Sequence, residues 1–322
     1  MRNVLLGASL GFFLCAAAAA PTFDPPSWVY MVAPPGADAR LQDPKIYTRP
    51  GSTLALKQSV LQDPFTPPDW YPNEHPPLPA LAQFGREPMV QPCIRCHLPT
   101  GTGHPESANI AGQPYEYMVR QMHDFASGAR RSYGEGAAAR SFNMVSIVRG
   151  MTDEEIAATA RYYADLKPRK WIHVVETDTT PETHMQPTSN MRHIKPGGGM
   201  EPIGNRIVEV PLDSVGADIR DSHASFTAYV PRGSIARGLT LANTGGGGKT
   251  IACNICHGPD LKGLGDIPGI AGRSPTYMIR QMSDIQRGLR AGSSAPLMQG
   301  VVAKLTLTDM IDVTAYVGSL DP

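Results

Sequence analysis

Two short stretches of this chain set chemically active residues at a fixed spacing: Cys93-Ile94-Arg95-Cys96-His97 and Cys253-Asn254-Ile255-Cys256-His257. Two thiols separated by two residues can each form a thioether to one vinyl group of a haem, and the imidazole that follows is then held against the iron. The same spacing can make half of a zinc site or a dithiol redox pair. Zinc, however, needs a second ligand pair close by, and neither copy has one. The motifs therefore predict two covalently attached haems, with Cys93, Cys96, Cys253 and Cys256 as attachment points and His97 and His257 as iron ligands.

The surroundings of the motifs repeat too. A constant shift of 160 carries Ile110-Ala111-Gly112 onto Ile270-Ala271-Gly272, Tyr117-Met118 onto Tyr277-Met278, and Arg120-Gln121-Met122 onto Arg280-Gln281-Met282. Asp124, Gly128 and Arg130 fall on Asp284, Gly288 and Arg290, and 16 of the 38 positions from Cys93 to Arg130 match. Agreement over that length marks a duplicated domain rather than a duplicated motif.

A c-type haem iron held by the motif histidine commonly takes a methionine on its other face. Thr152-Asp153-Glu154-Glu155 reads as a capping box opening a helix, and Thr306 to Asp309 is its counterpart. Met144 and Met298 each lie eight residues before those threonines, so the repeat equates them as axial ligands. The rival Met151 corresponds to Leu305, which cannot ligate. Met118, Met122, Met278 and Met282 also match between the halves, but they fall on a helical face and read as core.

The elements that must position these residues follow from the rest of the chain. Pro114 can occupy the first turn of a helix whose Tyr117, Met118, Met122 and Phe125 form one apolar face, directed at the haem. The helix after Thr152 repeats Ile156, Ala160 and Tyr163 at helical spacing, and its partner in the second half carries Tyr316 and Leu320. Ser234 can cap a short helix through Ala242. Gly245 to Thr250 resembles the end of a phosphate-binding loop, but that motif needs glycine where Asn243 stands and a preceding strand, so a flexible lead into Cys253 accounts for it better.

Met1 to Ala20 combines Arg2, an apolar run from Val4 to Leu14 and a closing run of alanines, which predicts a secretory signal cleaved after Ala20. Cys15 leaves with it, and the four remaining cysteines all lie in the two motifs. From Pro21 to Pro79 repeated prolines exclude a continuous helix or central strand, while Trp28, Tyr30, Tyr47, Phe65, Trp70 and Tyr71 argue for an arm packed over the haem domains. Between the repeats, Trp171 to Val175, Arg206 to Val210 and Ser225 to Val230 are β-rich runs in a loop-rich connector. Its histidines, His173, His184, His193 and His223, read as surface or structural residues. The expected organisation is thus a signal over 1–20, an extended arm over 21–80, haem domains over 81–168 and 234–322, and a β-rich connector over 169–233.

At this point the chain resembles the tandem diheme class I c-type cytochromes. The resemblance rests on the two motifs, the Ile-Ala-Gly segments, the late methionines and a closing helix with Tyr162-Tyr163 or Tyr316. It implies a mainly α fold of two cytochrome c-like helical domains, with the arm and the connector outside it. In such cytochromes a proline before the glycine places its carbonyl on the motif histidine. Pro268 matches that proline, whereas the first repeat has Ala108. The group it resembles further is the large diheme subunits that serve periplasmic dehydrogenases.

These readings predict a periplasmic electron carrier or the cytochrome subunit of a dehydrogenase complex. A redox partner, with a dehydrogenase as donor, would supply electrons, and an oxidase or another cytochrome would accept them for the respiratory chain. With both axial positions filled, the iron is closed to substrates and little rearranges when its charge changes, which suits electron transfer rather than catalysis. The alternative is a diheme cytochrome c peroxidase, which needs one site able to free a position for peroxide. A sensor or scaffold is a third reading, but no signalling domain accompanies the motifs. With 29 basic and 29 acidic residues the charge is balanced, which points away from nucleic acid and anionic membrane. No stretch after the signal is apolar for long enough to span a bilayer.

Overall fold

The computed structural model describes residues 24–30, 45–134, 142–186 and 189–322. The signal over 1–20, residues 31–44 of the proline-rich segment and residues 135–141 before Met144 lie outside the described residues. Two helical units repeat one plan. In the first, a short helix α2 (Ala80–Phe84) precedes the one-turn α3 (Ile94–His97), α4 (Tyr115–Ser127), α5 (Phe142–Arg149) and α6 (Asp153–Asp165). In the second, α8 (Ser234–Thr244), α9 (Asn254–His257), α10 (Pro275–Gln286), α11 (Ala295–Val302) and α12 (Leu307–Ser319) follow in the same order.

Local chemistry sets the helix ends. Thr152 accepts from the Glu155 amide while the Glu155 carboxylate accepts from the Thr152 amide, a closed capping box, and Thr306 with Asp309 does the same. Pro114 sits at the N-cap of α4, one place before the first turn, whereas Pro275 is the first residue of α10. Ser234 is not a cap. Gly233 takes that position with a left-handed φ of 79°, Ser234 begins the helix, and α8 runs on to Thr244. Gly245 then ends it at φ 68°, where an added Cβ would lie 2.2 Å from the Thr250 carbonyl oxygen, so the lead into the second motif is a tight hydrogen-bonded turn.

The connector contributes β3 (Ile172–Thr177), β8 (Val208–Pro211) and β9 (Phe226–Pro231) to one sheet. Its order is β3-β9-β8, with β3 parallel and β8 antiparallel to β9. All three β-rich runs of the sequence are strands. Two small ribbons join them: β4 (Thr179–Pro181) with β7 (Met200–Pro202), and β5 (Thr183–Gln186) with β6 (Met191–Ile194). A single turn of helix, α7 (Ser214–Asp218), is capped by Asp213. The sheet packs on α12, and one core runs from Val29 and Tyr30 through Trp171, Phe226 and Val230 into Ile279, Met310 and Ile311 of the second unit.

Prolines keep the elements of the preceding segment to three to five residues: β1 (Ile46–Thr48), paired with β2 (Ala55–Lys57), and then α1 (Gln58–Gln62). Tyr30, Trp70 and Tyr71 are buried all the same, and Trp28, Tyr47 and Phe65 are half-buried. Trp70 and Tyr71 form a cluster with Leu61 and Ile219, and the Trp70 indole donates to the Ile219 carbonyl at 2.8 Å. Among the described residues no helix is long and apolar enough to cross a membrane.

Candidate haem sites

Each motif folds as one helical turn. The His97 amide donates to the Cys93 carbonyl at 2.9 Å, and the His257 amide does the same to Cys253. That turn brings both sulfurs and the imidazole, three and four positions apart, to one side. Leu98 and Gly258 then take left-handed φ values of 62° and 85°, and the chain reverses until the Gly103 and Gly263 amides donate back to the carbonyls of His97 and His257.

The reversed loop supplies the partner of each histidine. His97 Nδ1 lies 2.8 Å from the Ala108 carbonyl, and His257 Nδ1 lies 2.8 Å from that of Pro268. A carbonyl only accepts, so Nδ1 carries the proton and Nε2 keeps a lone pair for iron. Replacing proline by Ala108 thus preserves the bond, because the acceptor is backbone. Burial lowers both imidazole pKa values and keeps the rings neutral.

All four motif thiols are unpaired. Burial pushes Cys93 up to about 12 and Cys253 up to about 11, which disfavours the thiolate that a zinc site requires. Among the described residues no three His, Cys, Asp or Glu side chains gather as a metal-binding group. His193 is buried beside Asp218, and His223 stacks on Tyr71 at 3.9 Å between ring centroids.

Both motifs open onto one cavity of 1120 Å³, larger than the roughly 300–1,000 Å³ that takes a single drug-sized ligand. Its first half is walled by Met118, Met122, Phe125 and Tyr163, its second by Met278, Met282, Ile285 and Leu305. Met144 on α5 and Met298 on α11 line it at corresponding places. Met151 lines it as well, so lining alone does not select an axial sulfur.

Sequence reasoning missed what lies where the two halves meet. Arg130 donates to Tyr277 and Gln281 of the other unit at 3.2 and 2.9 Å, and Arg290 donates to Tyr117 and Gln121 at 2.9 and 2.8 Å. Gln113 exchanges two hydrogen bonds with the Gly269 backbone, while the residue matching it, Arg273, binds Asn109, the residue matching Gly269. Equivalent positions therefore swap equivalent contacts, as a two-fold axis between the units requires. The signal was present in the sequence: Gln121 and Arg130 recur in the second half at positions that an apolar helix face does not need, whereas Tyr117, expected on the apolar face, turns its hydroxyl to Arg290.

These arginines also test the fit of a haem. The buried Nε atoms of Arg120 and Arg273 have no hydrogen-bond partner among the described residues, and burial pushes Arg273 down to about 10. Uncompensated buried donors beside an apolar slot call for an anionic, largely apolar ligand, and a porphyrin with two propionates is one.

No protein-family model matches the chain. A 72-residue stretch is 36% identical to cytochrome c-554(548) of Halomonas halodenitrificans, covering 22% of this chain and 87% of that protein. The chain belongs to the c-type cytochromes. The cytochrome also aligns with cytochrome c4 of Azotobacter vinelandii, 23% identical over 232 residues, 71% of this chain and 84% of that one. With the thiosulfate dehydrogenase electron acceptor of Thiomonas intermedia it is 25% identical over 224 residues, 68% and 74% of the two chains. As a tandem diheme cytochrome it carries two covalently bound haems c.

Proposed function

We propose that this cytochrome is an exported, periplasmic electron-transfer protein, a carrier or the cytochrome subunit of a dehydrogenase complex, that passes electrons from a redox partner toward the respiratory chain. In this reading Cys93 and Cys96 attach the first haem and Cys253 and Cys256 the second. His97 with Met144 and His257 with Met298 hold the irons. The observation that carries it is the two-fold arrangement of pockets around one cavity, each with a neutral imidazole and a methionine candidate.

When bound, each haem supplies an iron that takes up one electron and returns it. The protein's part is to hold and to tune. The carbonyls of Ala108 and Pro268 fix the imidazole tautomer and ring orientation, and the apolar walls keep water from the site. A neutral thioether from Met144 or Met298 favours the ferrous state relative to a second imidazole and so raises the potential. Arg120 and Arg273, whose buried Nε atoms have no partner among the described residues, would hold the haem carboxylates. A dehydrogenase as donor is supported by the relative named as the electron acceptor of thiosulfate dehydrogenase.

A redox titration of the purified holoprotein with ferric-state spectra tests this reading, with two haems per chain and sulfur ligation at both as the expected result. Met144→Ala and Met298→Ala should each open one iron to carbon monoxide, while the parent protein binds none. Unchanged ligand binding in both variants would remove the methionine assignments.

A further inference from the structure

The two halves repeat in their interior but not at their rims. Ile251, Cys256 and Leu297 line the second pocket and are exposed, Leu297 by 75%, and Ile255, next to Cys256 in the chain, is exposed by 66%. Leu264, on the adjoining loop, is exposed by 58%. The matching positions of the first half are Gln91, Arg95, Asn143 and His104, all polar. Cys96, the counterpart of Cys256, is not exposed.

The cover over the first motif comes from outside the repeat. The Arg220 guanidinium donates from Nε to the Arg95 carbonyl at 3.1 Å and from Nη1 to the Leu61 carbonyl at 2.8 Å, tying connector and proline-rich segment to the motif at one point. Trp70 clamps the same segment to Ile219, and Arg49 pairs with Asp213 and Asp221 on either side of it. Gln58, Leu61, Ile219 and Arg220 all face the cavity.

We infer that this cytochrome exchanges electrons with protein partners at the mouth of the second pocket, and that the proline-rich segment and the connector screen the first. The inference rests on the electron-transfer reading above. The occupant of the second mouth is a redox protein with an apolar docking face, because the four rim side chains are uncharged and the chain as a whole carries no net charge to steer a charged partner. Electron tunnelling needs close approach, and the second rim offers an exposed isoleucine inside the motif itself, beside the exposed Cys256.

The test uses the ferric holoprotein and a freely diffusing gadolinium chelate, with the haem-methyl proton resonances as the readout. One haem's resonances should broaden strongly and the other's little. Arg220→Ala, or Trp70→Ala as a second variant, should bring the protected set up toward the first. Oxidation of the ferrous protein by tris(phenanthroline)cobalt(III), a one-electron oxidant, should slow about tenfold in Ile255→Lys, the low end of what a charge set in an encounter surface changes, and stay unchanged in Asn143→Lys. Equal broadening of both haems in the parent protein, or variants that keep both haems and the native circular dichroism yet leave the protected set untouched, would overturn the screening. A chain without haem, or one without a reversible redox couple, would instead defeat the electron-transfer reading beneath it.

Discussion

Asp284 is a buried carboxyl in the wall of the second pocket. It accepts from the Tyr30 hydroxyl at 2.6 Å and from the Tyr133 amide at 3.0 Å, yet burial outweighs those bonds and raises its pKa from 3.8 to about 6. Ionisation near pH 6 places a negative charge beside the haem and favours ferric iron. The potential of that site should therefore fall as pH rises through about 6, and Asp284→Asn should flatten the dependence in a potentiometric titration. Stability follows the same group: between about pH 4 and 6 the folded state binds more protons than the unfolded one, so Asp284's contribution is lost as pH rises. The cysteines, the motif histidines and the paired methionines could be found without a fold because each declares itself by spacing or by repetition. Asp284 recurs in the repeat too, but its burial could not be read there, since its environment comes from Tyr30 and Tyr133, 254 and 151 residues away. Glu209 is the same kind of case: it is buried and accepts from Ser274, Thr276 and the Thr276 amide at the start of α10.

Among the elements, the closest contact in the second unit is the crossing of α8 on α12. Gly238 permits it, for a Cβ there would lie 1.9 Å from the Asp312 carbonyl oxygen. Gly238→Ala should force the helices apart and cost about 1–3 kcal/mol, the usual penalty of overpacking, read as a lower midpoint in denaturant unfolding. The seam between the units is held by α4 and α10 through their polar faces. Arg290→Ala leaves the Tyr117 hydroxyl without its donor and Gln121 with Arg130 alone, and should cost about 2 kcal/mol, while Arg290→Lys restores charge but not the forked geometry and should recover only part of it. Helix starts at Thr152 and Thr306 were legible because a capping box is local. The start of α8 was misread because Ser234 has the composition of a cap while Gly233 has the conformation. The ladder of β3 on β9 was legible as strands but not as a parallel pair, since pairing across 54 residues leaves no trace in alternation.

On the scale of the whole molecule the connector is part of the second unit's core, whereas the first unit has separate clusters around Met118 and Tyr163 and around Phe125 and Ile156. Amides of β3, β9, α10 and α12 should then open together in native-state hydrogen exchange, at a free energy distinct from that of α6. In the inference above the cover of Trp70 on Ile219 sets which pocket is screened, and the sequence concealed that cover because the two residues belong to segments that no repeat relates. The swapped arginines have an evolutionary corollary. Since the guanidinium from each half completes the other's wall, a substitution at that junction perturbs both irons at once. After such a duplication, positions remote from that junction can alter one centre without the other, and the pairs Gln91 and Ile251, Arg95 and Ile255, and Asn143 and Leu297 are where the two halves differ in polarity.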